Sequence, residues 1–146
     1  MWRALFSAVL VVVVVGCVSN VAVRPAPPQP LYFALELTEG GKRIGAPKLL
    51  GFSGKRVIAE RRSPGMTDPD YRIVLEPREE GAGYQLDLRL KLPSGERRGG
   101  VTLLHGEERS VSLGDGTEAK VMLMRVDSDE FRALISTPNP GGRGQI

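Results

Sequence analysis

His105 is the only histidine, and it stands in the segment Leu104-His105-Gly106-Glu107-Glu108. A histidine beside a carboxylate is part of a nucleophilic relay, in which the imidazole takes a proton from a hydroxyl or thiol. No activated nucleophile accompanies this one. Ser110 and Ser112 are two residues apart in a predicted strand, which puts both on its wet face. Glu76 and Glu79 are the residue types of a glycosidase acid pair, but their spacing along the chain says little about their separation in space, and no aromatic sugar platform accompanies them. Asp68 and Asp70 flank Pro69, and Asp127, Asp129 and Glu130 gather near the C-terminal end. Either group has oxygen ligands of the kind calcium takes, yet neither has the spacing of a calcium loop; turns and helix caps account for them. One histidine and one cysteine, Cys17, do not supply the closed tetrahedral set of a zinc site. The sequence therefore assigns no catalytic, cofactor-binding or metal residues, and a non-enzymatic function is expected.

The remaining chemistry-bearing types point the same way. Gly40-Gly41, Gly51 and Gly54 lack the spacing and the strand-to-helix setting of a phosphate-binding loop and read as turns. Tyr32, Tyr71 and Tyr84 fall at strand positions that favour core or sheet-edge packing over a binding surface. The net charge is +3, from 20 basic and 17 acidic side chains. Arg56, Arg61 and Arg62 enclose Glu60, and Arg97 and Arg98 follow Glu96. Such a mixed surface is no nucleic-acid footprint.

Cys17 carries the one chemical address. Arg3 precedes an apolar run, Ala4 to Val15, broken only by Ser7, and Gly16 is the small residue before the cysteine. A run this short does not comfortably cross about 30 Å of hydrocarbon as a helix, but it fits the apolar part of a secretory signal. Val14-Val15-Gly16-Cys17 resembles the lipobox of bacterial lipoproteins. That resemblance implies removal of residues 1–16, lipidation of Cys17 and attachment to a bilayer through its acyl chains. Durable anchoring needs more than one chain, since each buried CH₂ adds about 0.8 kcal/mol. In Gram-negative lipoproteins an Asp at the second mature position signals inner-membrane retention. Val18 stands there, so the resemblance implies an outer-membrane protein facing the periplasm in such a host.

The segment after the cysteine, residues 17–30, holds Pro25, Pro27, Pro28 and Pro30 and predicts an extended spacer. Residues 136–146, rich in Gly and Pro, predict a flexible tail. The body between, residues 31–135, predicts short strands. Tyr84, Leu86, Leu88, Leu90 and Leu92 alternate with Gln85, Asp87, Arg89 and Lys91, which is the period-two signature of a strand with one dry and one wet face. Pro93 to Glu96 then turns the chain, and residues 101–104 return as a partner, with Gly99 and Gly100 permitting a bulge. Further strands are predicted over 31–37, 47–51, 55–60, 71–76, 109–113 and 120–126, the last apolar on both faces and therefore central. The segment around His105 reads as a hairpin turn. Residues 128–134 predict a short helix capped by Asp127 or Ser128, or equally a final strand through Phe131 and Ile135. With no alternating long helices, the expected fold is all-β: a small antiparallel sandwich or partly open barrel, with at most one short C-terminal helix.

The stretch Ala46-Pro47-Lys48-Leu49-Leu50-Gly51-Phe52-Ser53-Gly54-Lys55-Arg56-Val57 resembles a strand-turn-strand segment of bacterial secretins, and residues 84–106 continue the likeness with a long strand and its return. The resemblance spans 46–113 and implies an accessory domain built from similar hairpins, since the channel-forming remainder of a secretin is missing. The expected role is a cell-envelope lipoprotein that binds another envelope protein or assists an assembly, for instance through an exposed strand edge. The alternatives are a small-ligand binder or divergent enzyme in a β barrel, with a pocket lined by Phe33, Tyr71 and Tyr84 and with Arg72 or Glu76 at its mouth, and a purely structural lipoprotein.

Overall fold

The computed structural model describes residues 26–137. Cys17, the lipobox and the tail beyond Thr137 lie outside the described residues. The elements in chain order are β1 (Pro30–Glu39), β2 (Lys42–Gly45), β3 (Lys48–Phe52), β4 (Val57–Arg61), β5 (Tyr71–Glu80), β6 (Gly83–Leu92), β7 (Gly95–Leu103), β8 (Glu108–Gly114), β9 (Thr117–Arg125) and α1 (Asp129–Ser136). All strand pairs are antiparallel. They form a five-stranded sheet, in which β2 and β3 share one flank of β1 while β9 and then β8 continue from the other, and a four-stranded sheet of order β4-β5-β6-β7. The domain is a small two-sheet antiparallel β fold with one short C-terminal helix, as its alternating pattern predicts.

Period-two alternation decides which face of each strand is dry. On β6, Leu86, Leu88 and Leu90 are buried to within 1 %, and Leu92 and Tyr84 nearly so. They join Leu31, Phe33, Leu35 and Leu37 of β1, Ile73 and Leu75 of β5, and Ala119, Val121 and Leu123 of β9 in one core. Each such leucine stabilises the fold by about 1.5–3 kcal/mol relative to exposure. β9 is central, as its double-sided apolar pattern requires: it pairs with β1 over Leu31 to Glu39 and with β8 on its other side. Its inner residues are buried, and Met122 and Met124 on its outer face are half-buried.

Several details depart from the pattern. β2 is not among the expected strands; it forms because the expected turn through Gly40 and Gly41, both at positive φ, sends the chain back along β1. β5 runs on to Glu80 through Pro77. Pro77 is tolerated because pairing with β4 has ended at Val57↔Leu75. Its carbonyl, on the same side of the strand as the missing N–H, accepts from Gly54 N at 2.7 Å. β7 spans Gly95–Leu103 in unbroken register with β6, so Gly99 and Gly100 make no bulge. Gly99 instead lets β7 approach β8: a Cβ there would stand 2.6 Å from Leu113 Cδ2. The segment Leu104 to Glu107 is a corner between the two sheets and not a hairpin turn, since β7 and β8 belong to different sheets. Residues 129–136 resolve to helix.

The spacer meets the domain at Gln29. Its N–H donates to Ser53 Oγ and its carbonyl accepts from Ser53 N, both at 2.9 Å. Its side-chain oxygen also accepts from the Tyr84 hydroxyl. Burial, then the charge of Glu79, pushes the Tyr84 pKa up.

Free strand edges invite unwanted pairing. Here β7 faces β8 across Gly99, and β3 meets β4 where a Cβ on Gly51 would lie 2.2 Å from Val57 Cγ2. Gly51→Ala is expected to lower stability by about 1–3 kcal/mol through overpacking. Adding Val57→Ala should recover part of that loss, so the double variant falls short of additivity in equilibrium urea unfolding.

Candidate functional site

The sheet-to-sheet corner and the C-terminal helix come together around His105. The imidazole Nδ1 accepts from Arg125 N at 3.1 Å, so the network assigns the ring proton to Nε2, which lies 3.1 Å from Glu130 Oε2. Glu130 is held below the usual carboxylate range by its own backbone N–H and then by His105. Glu107 faces the other way. Its Oε2 accepts from Leu104 N at 2.8 Å and its Oε1 from Arg109 Nε at 2.6 Å. Those two bonds, the backbone one first, lower its pKa. His105 thus pairs with Glu130 and not with Glu107 or Glu108, and both its nitrogens are engaged in joining β9 to α1.

The other candidates separate. Ser110 and Ser112 are exposed on the wet face of β8, as expected. Glu76 and Glu79 are three apart on one strand and therefore point to opposite faces. Glu76 binds Arg56 at 2.9 Å. Asp70 accepts from Ser63 Oγ at 2.7 Å and lies 3.8 Å from Arg61. Asp129 pairs with Arg132 at 3.0 Å. Among the described residues no three of His, Cys, Asp and Glu converge as a metal site would require. Phe33, Tyr71 and Tyr84 are packed in the core and line no pocket mouth. Arg97 and Arg98 point to opposite faces: Arg97 turns inward to Asp115 at 3.5 Å, while Arg98 pairs outside with Glu96.

A concave surface lies elsewhere, on the outer face of the five-stranded sheet. Ser128 caps α1, accepting from Phe131 N at 3.2 Å, and Asp129 and Glu130 suit the positive end of the helix. Phe131 packs against Tyr32 of β1 in a tilted arrangement, with ring centroids 5.2 Å apart and the ring planes at 50°. Between α1 and β3 this leaves a groove of about 520 Å³ lined by Tyr32, Leu50, Phe131, Leu134 and Ile135, with Lys48 at its edge. Leu50 is 67 % and Ile135 66 % exposed, and Phe52, two residues along β3 on the face of Leu50, is half exposed. Sequence reasoning missed Leu50 and Leu134. The available signal was Phe131, Leu134 and Ile135 at i, i+3 and i+4, an apolar helical stripe wider than one contact on Tyr32 needs.

No protein-family model matches the chain, and neither a curated protein nor a solved structure matches it.

Two outcomes follow from this geometry. An eight-residue helix is marginal alone, and α1 has no buried residue. Phe131→Ala should therefore abolish amide protection over 129–136 while lowering the domain's stability by only about 0.5–1.5 kcal/mol. Because folding lowers the Glu107 pKa, its contribution is full above the ordinary carboxylate range and is lost as pH falls through the lowered value. Glu107→Gln should be less stable than the parent at neutral pH, with the gap closing in acid, as read by urea midpoints across a pH series.

Proposed function

We propose that this chain is a non-enzymatic lipoprotein of the bacterial cell envelope whose β domain holds another envelope protein in the groove between β3 and α1. The observation that carries the reading is the contiguous exposed apolar set Leu50, Phe52, Leu134 and Ile135 around that groove. Apolar surface gathered in a concavity marks an interaction site, whereas single exposed leucines do not. The occupant fits as a peptide segment with an apolar anchor and a neighbouring carboxylate, because Lys48 is the one charged lining residue. A volume near 520 Å³ admits one or two side chains and not a folded surface. Strand addition at an edge is the weaker mode, since β3 with β4 and β7 with β8 abut.

The placement rests on the lipobox-like sequence: acyl chains on Cys17 hold the module at a bilayer, and the Pro-rich spacer lifts it off. In a Gram-negative host Val18 favours the outer membrane, facing the periplasm. The non-enzymatic part draws support from His105, Glu76, Glu107 and Glu130, each tied to a structural partner.

A photo-crosslinking residue at Leu50 in intact cells should capture one reproducible segment carrying an apolar residue beside an acid; the same probe at Thr102, on the other sheet, should not. Lys48→Glu should weaken the complex, and reversing the partner's acid should restore it. A captured segment without such an acid, or equal capture at both positions, overturns the groove reading. Intact-mass analysis of the native product tests the anchor separately, since an unmodified Cys17 removes it.

A further inference from the structure

The outer face of the four-stranded sheet carries a charge pattern that folding alone disfavours. Register sets Arg72 of β5 directly opposite Lys91 of β6, and Arg89 of β6 directly opposite Arg98 of β7. Directly opposed side chains of an antiparallel pair stand about 4.5–5.5 Å apart at Cβ, and like charges there are destabilising. Arg89 and Lys91 are next neighbours on one face of β6, so the two pairs make one patch of four cations.

The surrounding acids balance this patch only in part, at Arg98 and Arg89. Glu60 lies opposite Arg72, and Glu96 opposite Lys91. Glu60 Oε1, however, accepts from Arg62 at 2.7 Å, and Glu96 Oε1 from Arg98 at 2.7 Å. Glu76 is shared between Arg56 at 2.9 Å and Arg89 at 4.0 Å. Among the described residues, Arg72 and Lys91 have no carboxylate within ion-pair distance. The four cations, Val74 and Glu96 line a pocket of about 260 Å³. Val74 is its one apolar lining residue, and no aromatic ring lines it for a base to stack on.

We infer that this pocket binds a multivalent phosphate group of pyrophosphate size. The Arg72 guanidinium fork matches phosphate oxygens bidentately and the ammonium of Lys91 adds a point charge, with Arg89 and Arg98, partly satisfied by Glu76 and Glu96, beside them. A single carboxylate would leave one of Arg72 and Lys91 uncompensated. The phosphates belong either to lipid headgroups or to a soluble phosphate compound, and the chemistry at the sheet is the same.

The full chain in neutral detergent, titrated with inorganic pyrophosphate at low salt, should bind saturably and perturb the amides of Arg72, Lys91 and Arg98. Arg72→Gln and Lys91→Glu should each weaken binding about tenfold through loss of a charge-assisted contact. Arg132→Gln, on α1, should leave binding unchanged. Micelles doped with cardiolipin form the second arm. Competition with pyrophosphate assigns the site to lipid phosphate, and pyrophosphate binding without competition assigns it to a soluble phosphate. Absence of binding in both arms, or binding that Arg72→Gln and Lys91→Glu leave intact, overturns the inference.

Discussion

Leu86, Leu88 and Leu90 can stay dry on β6 only while a second sheet is held over them. That single requirement organises the chain. It fixes which face of each strand looks inward, because a slip of one residue would exchange leucines for Asp87, Arg89 and Lys91. It calls for an opposing set, which Phe33, Leu35, Val121 and Leu123 supply. It also forces the chain to cross between sheets at short corners: residues 53–56 link β3 to β4, and residues 104–107 link β7 to β8. Two polar side chains brace the second of these crossings. Glu107 ties the second corner to itself, and His105 ties it to β9 and the helix.

With the inner faces committed to each other, the outer faces are free to differ. One is apolar where α1 leans on Tyr32 and leaves Leu50 and Ile135 in water. The other is cationic where Arg72, Arg89, Lys91 and Arg98 meet. Neither feature contributes to the core, and the second opposes the pairing that carries it. The two lie on opposite sides of a domain only two layers thick, so neither surface covers the other.

Much of this architecture was legible in the amino-acid order. The leucine alternation of residues 84–92 names β6 and its buried face outright, and the apolar run at 120–126 names a central strand. At residues 128–134 the sequence leaves helix and strand equally open, with Asp127 or Ser128 as the cap, and the structure takes the helix capped by Ser128. Legibility fails where meaning depends on a partner from elsewhere in the chain. Nothing local distinguishes a hairpin at His105 from a corner between sheets, because both need a tight turn with Gly106 at positive φ. Gly99 looks like a bulge until Leu113 is placed against it. Arg89 is recognisably wet in the sequence, but its juxtaposition with Arg98 is a matter of register. The groove depends on where α1 docks, which no periodicity states.

The bonds between Gln29 and Ser53, with the Tyr84 hydroxyl on the Gln29 side chain, have a mechanical consequence. A tug on the spacer reaches the domain at a residue fastened both to the start of β4's corner and to β6. Beyond it, β1 lies between β9 on one flank and β2 and β3 on the other. Force along the strand axis loads these perpendicular ladder bonds together, in shear, and does not peel them one at a time. The strand that follows Gln29 is therefore one bonded along both of its flanks.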